Sequence, residues 1–465
     1  MLSWQCSPDG RKRRKKVVKR KMRTLAAMLA VVMLAGCGNG AESGSTTAET
    51  GEAQVQDTAG EPVEIEFWYG LGGTLGETVE ALIAEFNASQ DEVEVKGVAQ
   101  SSYGETSQML QAAIASGDVP ACFLSSYQDL ATFAEKGVVE YLDSYIAADP
   151  DFNPDDILDS FMSYCRDSEG KVYGLPVWGS TQVIYYRKDM FEEVGLDPDE
   201  VFATWQNLAE ACRTLKEYYK DVPNFYGFDP MYGSDHIMEI AYSNGASIVS
   251  EDGKTVTFNS DAFVEACEAV RQWIHEDQIM RIHFGGEGWE YWYKTIDDVM
   301  QGRSAGYMGS SGDQADLDFD IIAAHVQPGF NDNPPKPYVD PITVGIVGKA
   351  SEEQKQAAFK WLTFLNQTGT KEFSMQSGYV PVRASVKEDE EYKAYMEENP
   401  QAQAILEQAE IGRKKWIDPT GAVLQALDDA VDLIEIENVP AKEALDEAAA
   451  IAQQGLDEYW ANQGE

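Results

Sequence analysis

Histidine is nearly absent from this chain, with four residues in 465. His236, His275, His283 and His325 form no H-E-x-x-H pair, which excludes the common zinc-hydrolase arrangement. Cysteine is almost as scarce. Cys6 falls in the N-terminal segment and Cys37 ends an apolar run, while Cys122, Cys165, Cys212 and Cys267 are widely spaced with no C-x-x-C. That spacing argues against zinc and dithiol chemistry. Four thiols would suffice for two disulfides, but each sits among apolar residues, which favours buried free thiols. Positive charge is also short: 36 Lys and Arg face 79 acids, for a net charge of -43. Ten of the 36 and only one of the 79 lie in residues 1–23, so the remainder sets 26 basic against 78 acidic residues. Phosphate backbones would repel such a body, so nucleic-acid binding is not expected. No Gly-x-x-x-x-Gly-Lys-Ser/Thr loop occurs. The glycine run Gly70 to Gly76 fails the dinucleotide spacing because Leu75 holds its sixth position. Gly309-Ser310-Ser311-Gly312 falls one residue short of a nucleophile elbow. Long apolar runs are missing too. The best, Leu25 to Leu34, has ten residues, against the ~20 needed to span a membrane.

That short run nevertheless sits in an informative context. Arg11 to Arg23 is a basic stretch, and Leu34-Ala35-Gly36-Cys37 follows the apolar core at once. The order of charge, short apolar core and small residues is that of a signal peptide. The Leu-Ala-Gly-Cys segment resembles the bacterial lipobox, whose cysteine thiol accepts a diacylglycerol. Residues 1–36 therefore read as a lipoprotein signal peptide and Cys37 as the lipidation site. Met22, just before the apolar core, is an alternative start. Residues 37–62 are mostly Gly, Ser, Thr, Ala and Glu and read as a flexible tether. A lipid and a tether hold a soluble body beside a membrane without embedding it.

The body is long enough for two domains. Val63 to Tyr69 alternates as a strand, and Leu75, Val79, Leu82, Ile83 and Phe86 recur at helical spacing. Asp91 to Val98, Thr106 to Ser116 and Ala121 to Leu124 continue a β-α-β-α-β order. Such an order predicts a mainly parallel sheet with right-handed crossovers. Helices are expected over Trp205–Tyr219, Asp261–Glu276, Trp289–Met300, Ser351–Asn366 and, last, Ala441–Tyr459. Lys171 to Asp189 is an apolar run broken by Pro176 and Gly179, which predicts two strands joined by a bend. Trp178 and Ser180 flank that bend and suit a cleft between two lobes.

Gly170-Lys-Val-Tyr-Gly-Leu-Pro176, then Tyr185-Tyr-Arg-Lys-Asp-Met-Phe191 and Gly195-Leu-Asp-Pro198, resemble the extracellular solute-binding proteins of ABC importers. The resemblance is strongest to their carbohydrate and glycerol-3-phosphate-binding branch, and it runs from about Glu64 to the C-terminus. It implies an α/β, two-lobed periplasmic-binding-protein-like fold of type II, each lobe a mainly parallel sheet flanked by helices, with the ligand cleft between the lobes. It places residues 62–178 and 342–383 in lobe 1 and residues 179–341 and 384–465 in lobe 2. It implies a monomer that hands a carbohydrate to membrane permease subunits, with no catalytic residue, no cofactor and no metal.

The chain holds 50 Trp, Tyr and Phe residues, and a sugar site needs aromatic plates with polar residues at their rim. The resemblance puts ligand contacts at Tyr103, at the crossover Ser180, at Ser310 or Ser311, and at Tyr379. It places Tyr232 and His236 where that branch carries stacking tryptophans. Tyr69 and Trp178 border the expected cleft, and Arg383 is in reach of a ligand oxygen or of a salt bridge. Two departures matter. Ser126 stands where the branch has an acid after its third strand. The Gly-Leu-Arg-Leu-Gly segment of the phosphate binders is replaced by Lys414-Lys415-Trp416-Ile417-Asp418, where Trp416 offers a stacking face instead. Losing the phosphate arginine favours a sugar or oligosaccharide over glycerol 3-phosphate. A lipid-anchored glycosidase is the alternative from another class; a surface adhesin is a third.

Overall fold

The computed structural model describes residues 61–286 and 290–463. The basic run, the apolar core, Cys37 and nearly all of the tether lie outside the described residues. The first elements follow the sequence pattern closely. Strand β1 (Val63–Tyr69) buries alternate residues and pairs in parallel with β2 (Val93–Ala99) and β3 (Cys122–Ser126). Parallel neighbours need crossovers, supplied by α1 (Gly73–Ser89) and α2 (Tyr103–Ser116). Helix α1 buries Val79, Leu82, Ile83 and Phe86. Helix α2 starts three residues earlier than its apolar spacing suggests, because Ser102 caps it by accepting the Glu105 N–H. Gly117 ends it in the left-handed region, at φ 86°. Helix α3 (Tyr127–Glu135) follows β3.

The stretch expected as two strands and a bend is one strand. Strand β4 runs unbroken over Leu175–Arg187, and its Pro and Gly punctuation produces only a register shift between Pro176 and Trp178. An extra residue absorbed into a ladder accommodates the missing N–H of a proline without ending the strand. The first half of β4 pairs with β7 (Val339–Ile346). Its second half pairs with β5 (Gly306–Ser310) and β6 (Ile322–His325). The sheet order is β2-β1-β3-β7-β4-β5, with β6 and the short β8 (Val380–Pro381) also on β4.

The expectation of mainly parallel pairing holds for β1, β2 and β3 and is corrected elsewhere. β7 is antiparallel to both β3 and β4, and β5 and β6 are antiparallel to β4. β4 carries the chain from the first half of the sheet to the second and β7 brings it back. An outgoing and a returning strand that lie side by side are antiparallel by necessity.

Two hydrophobic cores flank this ribbon. One gathers Phe67, Phe123, Trp361 and Val344. The other gathers Trp205, Phe228, Phe263, Leu427 and Leu445. β4 contributes to both: Trp178 and Tyr185 enter the first, Ile184 and Tyr186 the second. The second core is closed by α4 (Trp205–Tyr218), α5 (Ser234–Ser243) and α6 (Asp261–Arg271). After α7 (Glu290–Met300), helix α8 (Glu352–Phe364) returns to the first core, followed by α9 (Thr370–Ser377) and α10 (Gln401–Glu410). The paired α11 (Ala422–Glu435) and α12 (Ala441–Gln463) complete the second. Cys122, Cys165, Cys212 and Cys267 are all buried and free, and burial pushes each thiol up.

Candidate functional site: an aromatic and acidic cavity

A cavity of about 620 Å³ opens beside the second half of β4. Three stretches of sequence make its walls. The turn into α5 supplies Tyr232, Ser234, Asp235 and His236; the first turn of α7 supplies Tyr291, Trp292 and Tyr293; the loop after β5 supplies Ser310, Gly312, Asp313 and Asp316. Gln182 of β4, Asp340 of β7 and Asp428 of α11 close the remaining sides.

The loop after β5 is locked by a capping box. The Ser310 hydroxyl accepts the Gly312 N–H at 3.1 Å, and Asp313 accepts the Ser310 N–H at 3.1 Å. Asp313 also accepts the Tyr307 O–H and the Trp292 indole N–H, each at 3.0 Å. One carboxyl thus fixes both the loop and the tilt of an aromatic plate. Burial pushes Asp313 up to about 7, against the pull of the Tyr307, Trp292 and Ser310 hydrogen bonds. The plates stand at steep angles. Tyr232 and Tyr291 meet at 88° with centroids 5.5 Å apart, and the His236 ring lies 5.7 Å from Trp292. His236 is buried; one ring nitrogen faces the Tyr232 backbone carbonyl in a loose hydrogen bond, and the other has no partner among the described residues. Burial holds it down at about 4, so it is neutral at pH 7.

On the far side, Asp235 is ion-paired with Lys415. Asp340 and Asp428 both lie within electrostatic range of Asp235 and Lys415. Each is raised above the usual carboxylate range, by burial first and by Asp235 in part. Tyr127 donates to Asp340, and Ser234 donates to Asp428.

Of the residues singled out in the sequence, Tyr232, His236 and Ser310 line the cavity. Ser180 pairs with Asp340 and shares the strand face of Gln182. Tyr379 lies beside Gly312 at the margin, and Tyr103, raised first by burial, is close enough to Tyr379 to be raised further by it. The others are elsewhere. Tyr69 is buried against Phe67. Ser126 caps α3 by accepting the Asp129 N–H. Trp178 is fully buried and stacks on Phe373 at 3.9 Å and 7°, so it is a core residue and not a cleft plate. Ser311 is fully buried and accepts the Thr181 N–H. Arg383 is held in the interior by Asp156 at 2.9 Å and Asn366 at 2.8 Å, which spends the charge that a ligand would have used. Trp416 packs against the second core. The glycine loop before α1 does not reach the cavity; Gly70 is required because a Cβ there would lie 2.2 Å from the Ser102 backbone.

Sequence reasoning missed Gln182, Asp235, Tyr291, Trp292, Asp313, Asp340 and Asp428. One signal was available. Three successive aromatics at 291–293 cover more of a helix circumference than a single core-facing stripe can bury.

A family model described as bacterial extracellular solute-binding protein matches residues 81–401. The chain belongs to that family. Over 353 residues it is 23% identical to the sn-glycerol-3-phosphate-binding periplasmic protein UgpB of Shigella dysenteriae, covering 74% of this chain and 80% of that one. Among solved structures, the sugar-binding protein MalE of Xanthomonas citri superposes with a TM-score of 0.74 at 17% identity, covering 87% of this chain and all of that one. UgpB of Mycobacterium tuberculosis, in complex with glycerophosphocholine, gives 0.72 at 23% identity, covering 85% and 99%. The fold of this solute-binding protein is therefore the two-lobed α/β fold of the periplasmic binding proteins. Among the described residues no group of three or more His, Cys, Asp or Glu is placed to hold a metal ion. No described helix is long and apolar enough to cross a membrane.

Proposed function

We propose that this member of the extracellular solute-binding family is lipid-anchored through Cys37, binds a carbohydrate in the cavity beside β4, and delivers it as a monomer to the permease of an ABC importer. One observation carries the reading. The cavity sets steeply angled aromatic faces at Tyr232, Tyr291 and Trp292 among hydrogen-bonding groups at Ser310, Gln182, Asp313 and Asp340. Flat apolar plates ringed by acceptors and donors match the apolar faces and hydroxyl edges of a sugar ring. A phosphate ester is disfavoured, because among the described residues five aspartates and neither Lys nor Arg line the cavity.

With lobes divided as the sequence suggests, near 178, 341 and 384, every lining residue belongs to the second lobe. The ligand then docks there first, and closure brings Tyr103 and Tyr379 of the first lobe over it. The hinge is the strand pair β4 and β7, whose differential contacts with ligand set the closed population. A thermal-shift screen over mono- and oligosaccharides tests the function, since a ligand bound only by the native state raises Tm. At least one saccharide is expected to stabilise the protein, to be recovered intact, and to reduce the radius of gyration in solution scattering. A saccharide returned cleaved would make the protein a glycosidase, and a panel with no shift would overturn the reading.

A further inference from the structure

The charge inside the cavity does not suit a neutral guest. Asp235, Asp340 and Asp428 line one cavity, and Asp340 and Asp428 each lie in electrostatic range of Asp235 and of its ion-pair partner Lys415. Asp313 and Asp316 stand on the wall formed by the loop after β5, and neither Lys nor Arg lines the cavity among the described residues. Neutral hydroxyls satisfy carboxylate lone pairs but leave this surplus of negative charge uncompensated, and buried charge without a partner is costly. An independent observation comes from His236. Its ring lines the cavity and is nine-tenths buried; one nitrogen faces the Tyr232 backbone carbonyl, and the other has no partner among the described residues. A neutral imidazole whose N–H faces that carbonyl keeps its other nitrogen as an acceptor for an N–H of the guest. The faces of Tyr232, Tyr291 and Trp292 add a third attraction, because π-faces favour a cation over a neutral group.

We infer that the ligand is a cationic saccharide, an amino sugar whose protonated amine sits among Asp235, Asp340 and Asp428 while its ring lies against Trp292 and Tyr291. The inference deepens the carbohydrate reading and rests on it. Burial, and repulsion by Asp235, which raise Asp340 and Asp428, are what a bound ammonium would relieve.

Calorimetry on the full-length protein with matched probes separates the two claims. The pairs are glucosamine against glucose, trehalosamine against trehalose, and chitosan disaccharide against cellobiose, with glycerol 3-phosphate as an anionic control. At least one amine probe is expected to bind tenfold or more tightly than its hydroxyl partner. Its advantage should shrink in 0.5 M NaCl, and it should fall toward unity in Asp428→Asn, whose unchanged Tm would show an intact fold. Equal affinity within every pair that binds, or preference for the hydroxyl form throughout, overturns the cationic inference and leaves the carbohydrate reading standing. Binding of none of the six saccharides, or tightest binding of glycerol 3-phosphate, overturns both.

Discussion

Trp178 and Trp292 show how differently two tryptophans are used. Trp178 has no exposed surface and lies flat on Phe373, with its indole N–H unpaired. Trp178→Ala should cost about 3–5 kcal/mol of stability, as large aromatic deletions in cores do. Denaturant unfolding should show that loss, and it should exceed the loss from any cavity variant. Trp292 is half-buried, with its N–H on Asp313. Trp292→Ala should leave the unfolding midpoint nearly unchanged and weaken saccharide binding by about 2 kcal/mol, a typical hot-spot cost. Calorimetry on the ligand found in the screen checks it.

At the scale of elements, the site depends on β5 and the loop that follows it. Gly309 faces Val183 of β4, and a Cβ there would fall 2.3 Å from the Tyr307 ring and 2.6 Å from the Asp313 carboxylate. Gly309→Ala must therefore displace Asp313, and with it the capping box and the Trp292 plate. The expected outcome is at least tenfold weaker binding in a chain whose circular dichroism is unchanged. Equal affinity would mean that the loop is not held by Asp313. Strand β4 depends on its neighbours in the same way. Its Pro and Gly suggested a break, but pairing on both edges holds one 13-residue strand through the whole sheet. Local punctuation lost to the ladders formed with β7 and β5, strands that come much later in the chain. No local pattern reports such partners.

Across the whole molecule, buried acids set the response to pH. Burial pushes Asp229 up to about 7, Asp313 up to about 7 and Glu435 up to about 8. Each binds its proton more tightly in the folded chain than in the unfolded one, so stability falls as pH rises from about 4 through the folded values. His236, held down at about 4, works the other way between about 6.5 and 4 and offsets part of the gain. Tm should be higher at pH 5.5 than at pH 8. Glu435→Gln should flatten that slope while keeping the acceptor for the Gly233 N–H. A Tm that rises toward pH 8 would contradict the burial of these carboxyls.

The sequence by itself determined the β-α-β-α-β opening, the family, and three of the cavity positions, Tyr232, His236 and Ser310. These depend on short-range periodicity and on motifs read along the chain. Only the tertiary structure decided that Trp178 and Arg383 are interior residues while Asp313, Asp340 and Asp428 face one cavity. Those residues come from β4, β7, α11 and loops far apart in the chain. A side chain's solvent, and so its charge and its role, is set by which distant strand or helix packs against it.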